Sequence, residues 1–432
     1  MVNTDAAGKG SGSAGNARAT WLVLGALLVG LLLGALSQKM GDAVREPMVQ
    51  GASLIGGLWL DALKMTVIPL IISLLLTGIV SGADQARAGG IAARSITWFV
   101  VVLTGSALFG TLAMPALLEA FPLPQSASEA LRAGLANVDS SATEASVPKL
   151  SDWLKSVIPT NPISAAANDQ VLALVFFTAV FGFAVTRIDT EGRQAIGRFF
   201  RAVQDAMLIV VGWVLRLAPI GVLGLAFAVG AGSGGAAFGA ILHYVVLVSV
   251  LGIVVMLAAY VVAVVFARWS LGEFARAMIP PQAVAISTQS SLASLPAMLE
   301  AARRLRLPQR NADVSLPLAV ALFRATGPAM NVGVAIYVAY WMGIELTAGS
   351  LIAGFAVASI ASYWAVSLPG SLSFVTSIAP IALAMGVPIE PLALLIAVEV
   401  IPDIFRTLGN VTWDVAAAGA AAQGERASTS DE

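Results

Sequence analysis

The stretch STQSSLASLPAM, residues 287–298, interrupts an apolar region with serine, threonine, glutamine and proline. A second stretch, SLPGSLS at residues 367–373, repeats this pattern before the next long apolar segment. Irregular backbone at membrane depth is tolerated only where protein or a water-filled cavity covers it. We therefore expect both stretches to belong to re-entrant hairpins or broken helices rather than to ordinary membrane spans.

The composition of the chain is that of a polytopic membrane protein. Of its 432 residues, 58% are hydrophobic and 11% are charged, and the mean hydropathy is +0.87. Soluble domains carry about 25% charged residues. Several apolar runs are long enough to span a bilayer, and no ten-residue alternating pattern predicts a membrane barrel. The fold class that follows is all-α.

Residue counts exclude several functions. The chain has no cysteine and one histidine, His243, so thiol and multi-histidine metal sites are excluded. A net charge of −1 with few basic clusters gives no indication of nucleic-acid binding.

Hydropathy predicts six apolar helical segments, followed beyond residue 270 by interrupted ones. Paired interruptions of this kind are typical of transporters built from inverted repeats, with the binding site between them. Within the second segment, Asp61 and Lys64 are three residues apart, so we expect them to pair or to extend toward the interface. The predicted segments lie near residues 20–37, 50–82, 92–120, 160–187, 196–230 and 237–267.

Basic residues predict the orientation in the membrane. Two short loops are rich in arginine, and the positive-inside rule makes both cytoplasmic. The long mixed loop 121–157 then faces outward and the N-terminus faces inward. The arginines are Arg187, Arg193, Arg198 and Arg201 in one loop, and Arg303, Arg304, Arg306 and Arg310 in the other.

A polar stripe marks the last apolar helix. Its members recur at helical spacing and so share one face. A charge at the bilayer centre costs at least about 2.5–3.5 kcal/mol on insertion scales, and intramembrane ionisable residues usually have a function. A salt-bridge ladder, or a polar helix end outside the bilayer, is the alternative. The stripe comprises Glu399, Asp403, Arg406, Thr407, Asn410 and Asp414.

Five motifs, in order, resemble signatures of the dicarboxylate/amino acid:cation symporter family, which has the glutamate-transporter fold. The resemblance covers residues 20–422. The motifs are LKMTVIPLIISLL (63–75), IPTNPISAAANDQVLALVFF (158–177), LAPIGVLGLAFA (217–228), TQSSLASLP (288–296) and RTLGNVTWD (406–414).

The resemblance implies eight transmembrane helices and two re-entrant hairpins, near residues 273–308 and 346–388. It also implies a homotrimer that works as an elevator, in which a transport domain moves against a scaffold of helices 1, 2, 4 and 5. The expected divisions are a disordered cytoplasmic tail (1–19), helices 1–6 (20–267), a transport core (268–422) and a polar tail (423–432).

The resemblance also assigns roles to individual residues. Arg406 would hold a substrate carboxylate with its forked donors, and Asp403 would hold an amino group. A third group would complete the binding site: Thr407 contributes a hydroxyl, Asn410, Ser290 and Ser291 bind the α-carboxylate, and Leu368, Pro369 and Gly370 form the tip that closes over the substrate. The competing interpretation of the serines as nucleophiles lacks an accompanying base.

The chain departs from the family pattern in the seventh helix. The tetrad Asn-Met-Asp-Gly, which helps to bind sodium in the family, falls on residues 323–326, Phe-Arg-Ala-Thr. A shifted alignment uses MNVG at 330–333, and neither register supplies the acidic ligand. In helix 3, Thr104 is kept, but Val101 and Gly105 replace an aromatic residue and a hydroxyl. Asn410 and Asp414 would then form a residual sodium site.

Arg324 brings a permanent cation into this region. With Glu399, Asp403 and Asp414 negative and Arg406 positive, Arg324 would act as a tethered substitute for one sodium ion. A proton on Glu399 or Asp403 would then serve as a coupling ion. The alternative is that Arg324 extends toward water or pairs structurally; pairing with Asp403 would favour a dicarboxylate over an amino acid.

Together these features predict a symporter that imports an acidic amino acid or a related dicarboxylate with Na⁺ and/or H⁺, without another cofactor. The expected location is a bacterial-type inner membrane, with both termini cytoplasmic. The alternatives are a proton-coupled C4-dicarboxylate carrier, an intramembrane enzyme and a passive channel. The sequence shows neither the metal cluster nor the activated nucleophile that an enzyme would need. A channel would not need the paired hairpins.

Overall fold

The computed structural model describes residues 11–87, 90–123, 158–168, 170–233, 236–361 and 371–428. Every regular element in these ranges is a helix. The helices are α1 (Ser11–Ser37), α2 (Asp42–Lys64), α3 (Val67–Arg87), α4 (Gly90–Ala120), α5 (Pro162–Ala167), α6 (Val171–Val185), α7 (Thr190–Arg216), α8 (Ala218–Ser233), α9 (Ala236–Val265), α10 (Leu271–Thr288), α11 (Ser291–Arg304), α12 (Gln309–Leu322), α13 (Gly327–Met342), α14 (Ala348–Ala361), α15 (Ser371–Ala384), α16 (Leu392–Leu395) and α17 (Val400–Ser428).

Several helices are long and apolar enough to cross a membrane, which agrees with the predicted all-helical membrane fold. Among the described residues there are four such runs, and a fifth if α7 and α8, bent by 55°, form one span. The exact number of eight spans and two hairpins stays a prediction. The four runs are Asp42–Val80, Gly90–Ala120, Gly239–Val265 and Gln309–Met342.

The predicted segment 160–187 is divided between α5 and α6. Two further segments that hydropathy predicts as continuous are each two helices, with a proline after the break. The segment 50–82 divides between α2 and α3, and the segment 196–230 divides between α7 and α8. The prolines are Pro69 in α3 and Pro219 in α8. Proline lacks an N–H and clashes with the carbonyl four residues earlier, so each break lies where the preceding turn cannot continue. Hydropathy averages over such a break.

The helices pack in a way that surrounds α17. Helices α1 and α2 pack against α8, and α3 packs against α6 and α7. Helix α17 packs against α4, α9, α10, α11 and α12. This enclosure places the polar stripe of α17 in the protein interior rather than against lipid.

The predicted first hairpin corresponds to α10 and α11, which pack against each other. Ser270 begins α10 with a capping box shared with Glu273. The chain reverses at Gln289, whose φ of 50° is left-handed, and Ser290 caps α11. Helices α14 and α15 also pack against each other, but the segment between them lies outside the described residues.

Gly110 permits the close approach of α4 to α13, and this contact gives a testable prediction. A Cβ at Gly110 would lie 2.4 Å from the carbonyl oxygen of Ala329, whereas a Cβ at Gly105 on the same helix would meet nothing within 4 Å. We expect Gly110→Ala to lower the free energy of unfolding by about 1–3 kcal/mol, because the backbones must separate.

Thermal unfolding of the detergent-solubilised protein measures this effect, with Gly105→Ala as the matched control. Alanine is the better helix former, so the control should leave the unfolding temperature unchanged or raise it slightly. Equal unfolding temperatures for the two variants would contradict the close contact between α4 and α13.

Candidate functional site

The charged stripe of the last helix is buried. Glu399 precedes α17 and is 2% exposed, and Asp414, about four turns further along, is fully buried. Asp403, Arg406, Thr407 and Asn410 between them are also buried. A buried charge costs several kcal/mol unless it is paired, so the partners of these side chains define the site.

Arg406 is the centre of the stripe. Its Nη1 forms ion pairs with Glu399 and, at 3.2 Å, with Oδ1 of Asp403. Its Nε and Nη2 are buried and have no hydrogen-bond partner among the described residues. These two donors form one edge of the planar guanidinium, and such an edge fits a carboxylate through two parallel hydrogen bonds. Arg406 is therefore balanced by the protein on one side and open to an anion on the other.

Aromatic residues of α9 and α13 form a cluster that contacts Glu399 through Tyr244. The hydroxyl of Tyr244 donates a hydrogen bond of 3.2 Å to Oε2 of Glu399. The ring of Tyr337 packs edge-on against Tyr244, with centroids 5.3 Å apart. The Tyr337 hydroxyl lies 3.0 Å from both Nδ1 of His243 and the carbonyl oxygen of Ala240. This cluster fixes the position of the Tyr244 hydroxyl.

The α12–α13 span is broken beside the stripe, at residues 323–326. Phe323 has an extended backbone and stacks on Phe99, with ring centroids 4.4 Å apart and nearly parallel planes. It also meets Trp413 of α17 edge-on at 6.3 Å. These aromatic contacts anchor the break, and the next residue, Arg324, extends from it.

Asn410 satisfies the backbone exposed by this break. Its Oδ1 accepts a 3.0 Å hydrogen bond from the amide of Thr326 and lies 2.7 Å from the Thr326 hydroxyl. That hydroxyl also lies 2.9 Å from the carbonyl oxygen of Arg406. The oxygen of the Asn410 amide is therefore engaged by Thr326, which leaves its Nδ2 as the atom able to donate to a substrate carboxylate.

Asp414 and Arg324 form the second charged part of the site. The Arg324 guanidinium interacts electrostatically with the carboxylates of Asp403 and Asp414. Neither carboxylate oxygen of Asp414 has a hydrogen-bond partner within the described ranges. Across the same ranges, no group of three His, Cys, Asp or Glu side chains is arranged to hold a metal ion. Charge balance at Asp414 thus comes from a side chain on another helix segment.

The turn between α10 and α11 reaches the beginning of α17. The side-chain Nε2 of Gln289 donates a 3.4 Å hydrogen bond to the carbonyl oxygen of Val400. Ser290 and Ser291 are half-buried, and the Ser290 hydroxyl accepts from the amide of Ala293 as the cap of α11. The N-terminus of α11 is therefore near the stripe, where helix N–H groups favour an anion.

The structure brings together most of the sequence-predicted residues, and it adds others. Leu368, Pro369 and Gly370 lie outside the described residues. Sequence reasoning missed Tyr244 and the hydrogen bonds of Thr326 to Asn410 and to the carbonyl oxygen of Arg406. Tyr244 lies on a mostly apolar helix, and the motifs carried no signal for it.

The chain is similar in sequence to several bacterial transporters of acidic substrates. A "Proton/glutamate-aspartate symporter" of Escherichia coli K12 is 28% identical, over 92% of this chain and 90% of the relative. A "Proton/sodium-glutamate symport protein" of Bacillus subtilis 168 is 27% identical, over 91% and 90%. A "C4-dicarboxylate transport protein" of Laribacter hongkongensis is 24% identical, over 95% and 90%.

The family match covers nearly the whole chain. Residues 19–423 match the family described as "Sodium:dicarboxylate symporter family". This match confirms the family that the five motifs predict, and it confirms a transporter rather than an enzyme. The chain therefore belongs to the sodium:dicarboxylate symporter family.

Proposed function

We propose that this protein is a secondary active symporter that imports an aspartate- or glutamate-like amino acid, or a related dicarboxylate, with Na⁺ and/or H⁺. The observation that carries the proposal is the buried Arg406, whose Nε and Nη2 have no hydrogen-bond partner among the described residues. A buried guanidinium with a free edge is matched to a carboxylate. The names of the relatives include transporters of both substrate classes.

Asp403 favours an amino acid as the substrate. Its carboxylate lies 3.2 Å from Arg406 on the same helix face, so a carboxylate on Arg406 would place a neighbouring amine beside Asp403. The second candidate is a proton-coupled C4-dicarboxylate carrier. It is favoured by the electrostatic interaction of Arg324 with Asp403, because Arg324 would neutralise the site for an amine.

The proposed site contains further residues with supporting roles. Asn410 would donate through Nδ2, the α11 N-terminus with Ser290 and Ser291 would receive the α-carboxylate, and Thr407 would contribute its hydroxyl. The closing tip would be Leu368, Pro369 and Gly370.

We propose the elevator arrangement, with two hairpins, as the mechanism. The packing of α17 against α4, α9, α10, α11 and α12 supports one moving unit, and the packing of α1 and α2 against α8 supports a separate scaffold. In this proposal the protein is a homotrimer of a bacterial inner membrane, and both termini are cytoplasmic.

Arg324 is proposed as a tethered replacement for one coupling cation. Its electrostatic interaction with Asp403 and Asp414 supports this role, since a fixed positive charge reduces the need for a mobile one. Asn410 and Asp414 would provide a residual sodium site. The two carboxylate oxygens of Asp414, which have no hydrogen-bond partner in the described part of the chain, support this site. The Oδ1 of Asn410 weakens it, because that oxygen already accepts from Thr326.

Uptake into proteoliposomes, with sodium and proton gradients imposed separately, tests the coupling. We expect accumulation with few sodium ions per cycle. In Arg324→Gln, the ratio of the substrate affinity with sodium to that without sodium should rise about tenfold. The exposed Arg310→Gln is the control. Strict dependence of the unmodified protein on several sodium ions per cycle would refute the substitution.

Counterflow distinguishes the classes of function. A carrier loaded with excess unlabelled aspartate or succinate accumulates the labelled compound transiently, whereas a channel or an enzyme does not. The absence of counterflow with every acidic amino acid and dicarboxylate tried would refute the proposed function.

A further inference from the structure

Glu399 is a buried carboxylate that the proposed substrate contacts do not use. It is 2% exposed, and it lies immediately before α17. Its two partners come from different helices, the Arg406 guanidinium from α17 and the Tyr244 hydroxyl from α9. A carboxylate that is stabilised by one cation and one hydroxyl donor is more readily protonated when that cation acquires another partner.

The cation that serves Glu399 is already shared. Nη1 of Arg406 contacts both Glu399 and Asp403. Asp403 also interacts with Arg324, and Asp414 interacts with Arg324 as well. Among the described residues, Arg406 is the one arginine that interacts with Glu399. Glu399 is therefore the carboxylate of the stripe whose charge depends most on Arg406 alone.

A substrate carboxylate at Arg406 would bring more negative charge than this one guanidinium balances. Bound at the Nε and Nη2 edge, it would be the third carboxylate on one guanidinium, in a buried environment where like charges repel strongly. Protonation of Glu399 would remove one negative charge from Arg406. The resulting carboxyl group can still accept from the Tyr244 hydroxyl, so its hydrogen bonding survives the change.

We propose that Glu399 binds the coupling proton, and that its protonation and the binding of a substrate carboxylate at Arg406 favour each other. This inference rests on the proposed function. A proton from water adds to a carboxylate oxygen of Glu399 when the substrate enters, and it returns to water on the other side when the substrate leaves. Because such coupling is reciprocal, a proton gradient then drives the substrate in the same direction.

The surroundings of Glu399 determine how this proton equilibrium responds to pH. His243 is half-buried and is the ionisable group of the cluster that lies nearest to solvent. It contacts Tyr337, whose ring packs on Tyr244. The titratable and charged groups that face Glu399 or its partners are Tyr244 and His243 from α9, Tyr337 from α13, Asp403 and Arg406 from α17, and Arg324 from the break after α12.

Glu399→Gln is the main test, because glutamine resembles the protonated side chain. We expect counterflow exchange of labelled substrate to persist, while accumulation driven by an inward proton gradient falls at least about tenfold. Calorimetry in buffers of different ionisation enthalpy should show about one proton taken up per substrate by the unmodified protein, and about none by the variant. Glu300→Gln, an exposed carboxylate paired with Arg303 and Arg304, is the control.

Tyr244→Phe is the second variant, and it removes only the hydroxyl. The hydrogen bond from Tyr244 stabilises the ionised form of Glu399, so its loss favours protonation. The midpoint of the pH profile of uptake should therefore move about 0.5–1 unit to higher pH. A role limited to packing would not move that midpoint, and an unchanged midpoint would overturn the proposal.

The outcomes separate this inference from the proposed function. Proton-driven accumulation by Glu399→Gln at the unmodified level, or an unmodified protein that exchanges substrate but ignores the proton gradient, overturns the assignment of Glu399 and leaves the symporter intact. An unmodified protein that exchanges no acidic substrate overturns the proposed function itself.

Discussion

Arg406→Ala is expected to reduce the uptake of acidic substrates by about 10²–10³-fold. The variant loses the Nε and Nη2 donors for the substrate, and it also leaves Glu399 and Asp403 without their shared partner. Removing one member of a buried ion pair costs about 3–5 kcal/mol, and every 1.4 kcal/mol corresponds to tenfold in affinity. Initial uptake rates and equilibrium binding in proteoliposomes measure the effect.

Arg406→Lys separates charge from geometry at the same position. Lysine keeps the positive charge but does not offer two parallel donors, so we expect the affinity to fall about 10–100-fold with folding retained. The exposed Arg303, 67% accessible at its side chain, supplies the matched control Arg303→Lys. An affinity unchanged by Arg406→Lys would show that Arg406 only balances its neighbouring carboxylates.

Asp403→Asn is expected to weaken the binding of substrates that carry an amine more than the binding of those that do not. The variant loses the carboxylate that would pair with an ammonium group, so the Kd for aspartate or glutamate should rise about 10–100-fold. Succinate and malate have no ammonium group, and their Kd should change less than about threefold or improve, because one negative charge is gone. Thermal-shift titrations with each compound measure both Kd values.

Asp313→Asn is the control for this prediction, since Asp313 is an exposed residue of α12. Equal losses for aminated and non-aminated substrates would identify Asp403 as a structural partner of Arg406 rather than an amine ligand. A selective loss would favour the amino-acid interpretation over the C4-dicarboxylate one.

The polar stripe of the last helix was predictable because its spacing is a local property. Residues three and four apart on a helix lie on one face whatever surrounds the helix. The cost of a charge in the bilayer then implies that the face is covered by protein. The burial of Glu399, Asp403, Arg406 and Asp414 follows this expectation.

The partners of these charges were less predictable, because they come from distant parts of the chain. Asp61 and Lys64 were expected to pair with each other or to extend toward the interface. The pairing was wrong, because Lys64 pairs with Glu390, while Asp61 is exposed. Glu390 follows α15, and only the packing of the helices brings it to Lys64. A three-residue spacing permits a pair, but it does not require one.

Residues 323–326, where the chain departs from the family motif, also show what the sequence could and could not predict. The family motif, placed by counting without gaps, predicted that residues 323–326 lack the acidic cation ligand. It did not show that Phe323 stacks on Phe99, or that Thr326 is bound by Asn410. These contacts join α4, the break and α17, which are far apart in the chain.

By itself, the sequence determined the all-helical membrane architecture, the family and the buried face of α17. Each of these depends on hydropathy, helical spacing or motifs that are readable along the chain. Only the tertiary structure decided that Arg406 is shared by Glu399 and Asp403 and that Tyr244 donates to Glu399. The reason is physical: the state of a buried charge depends on every group within a few ångströms, and helix packing, not sequence distance, selects those groups.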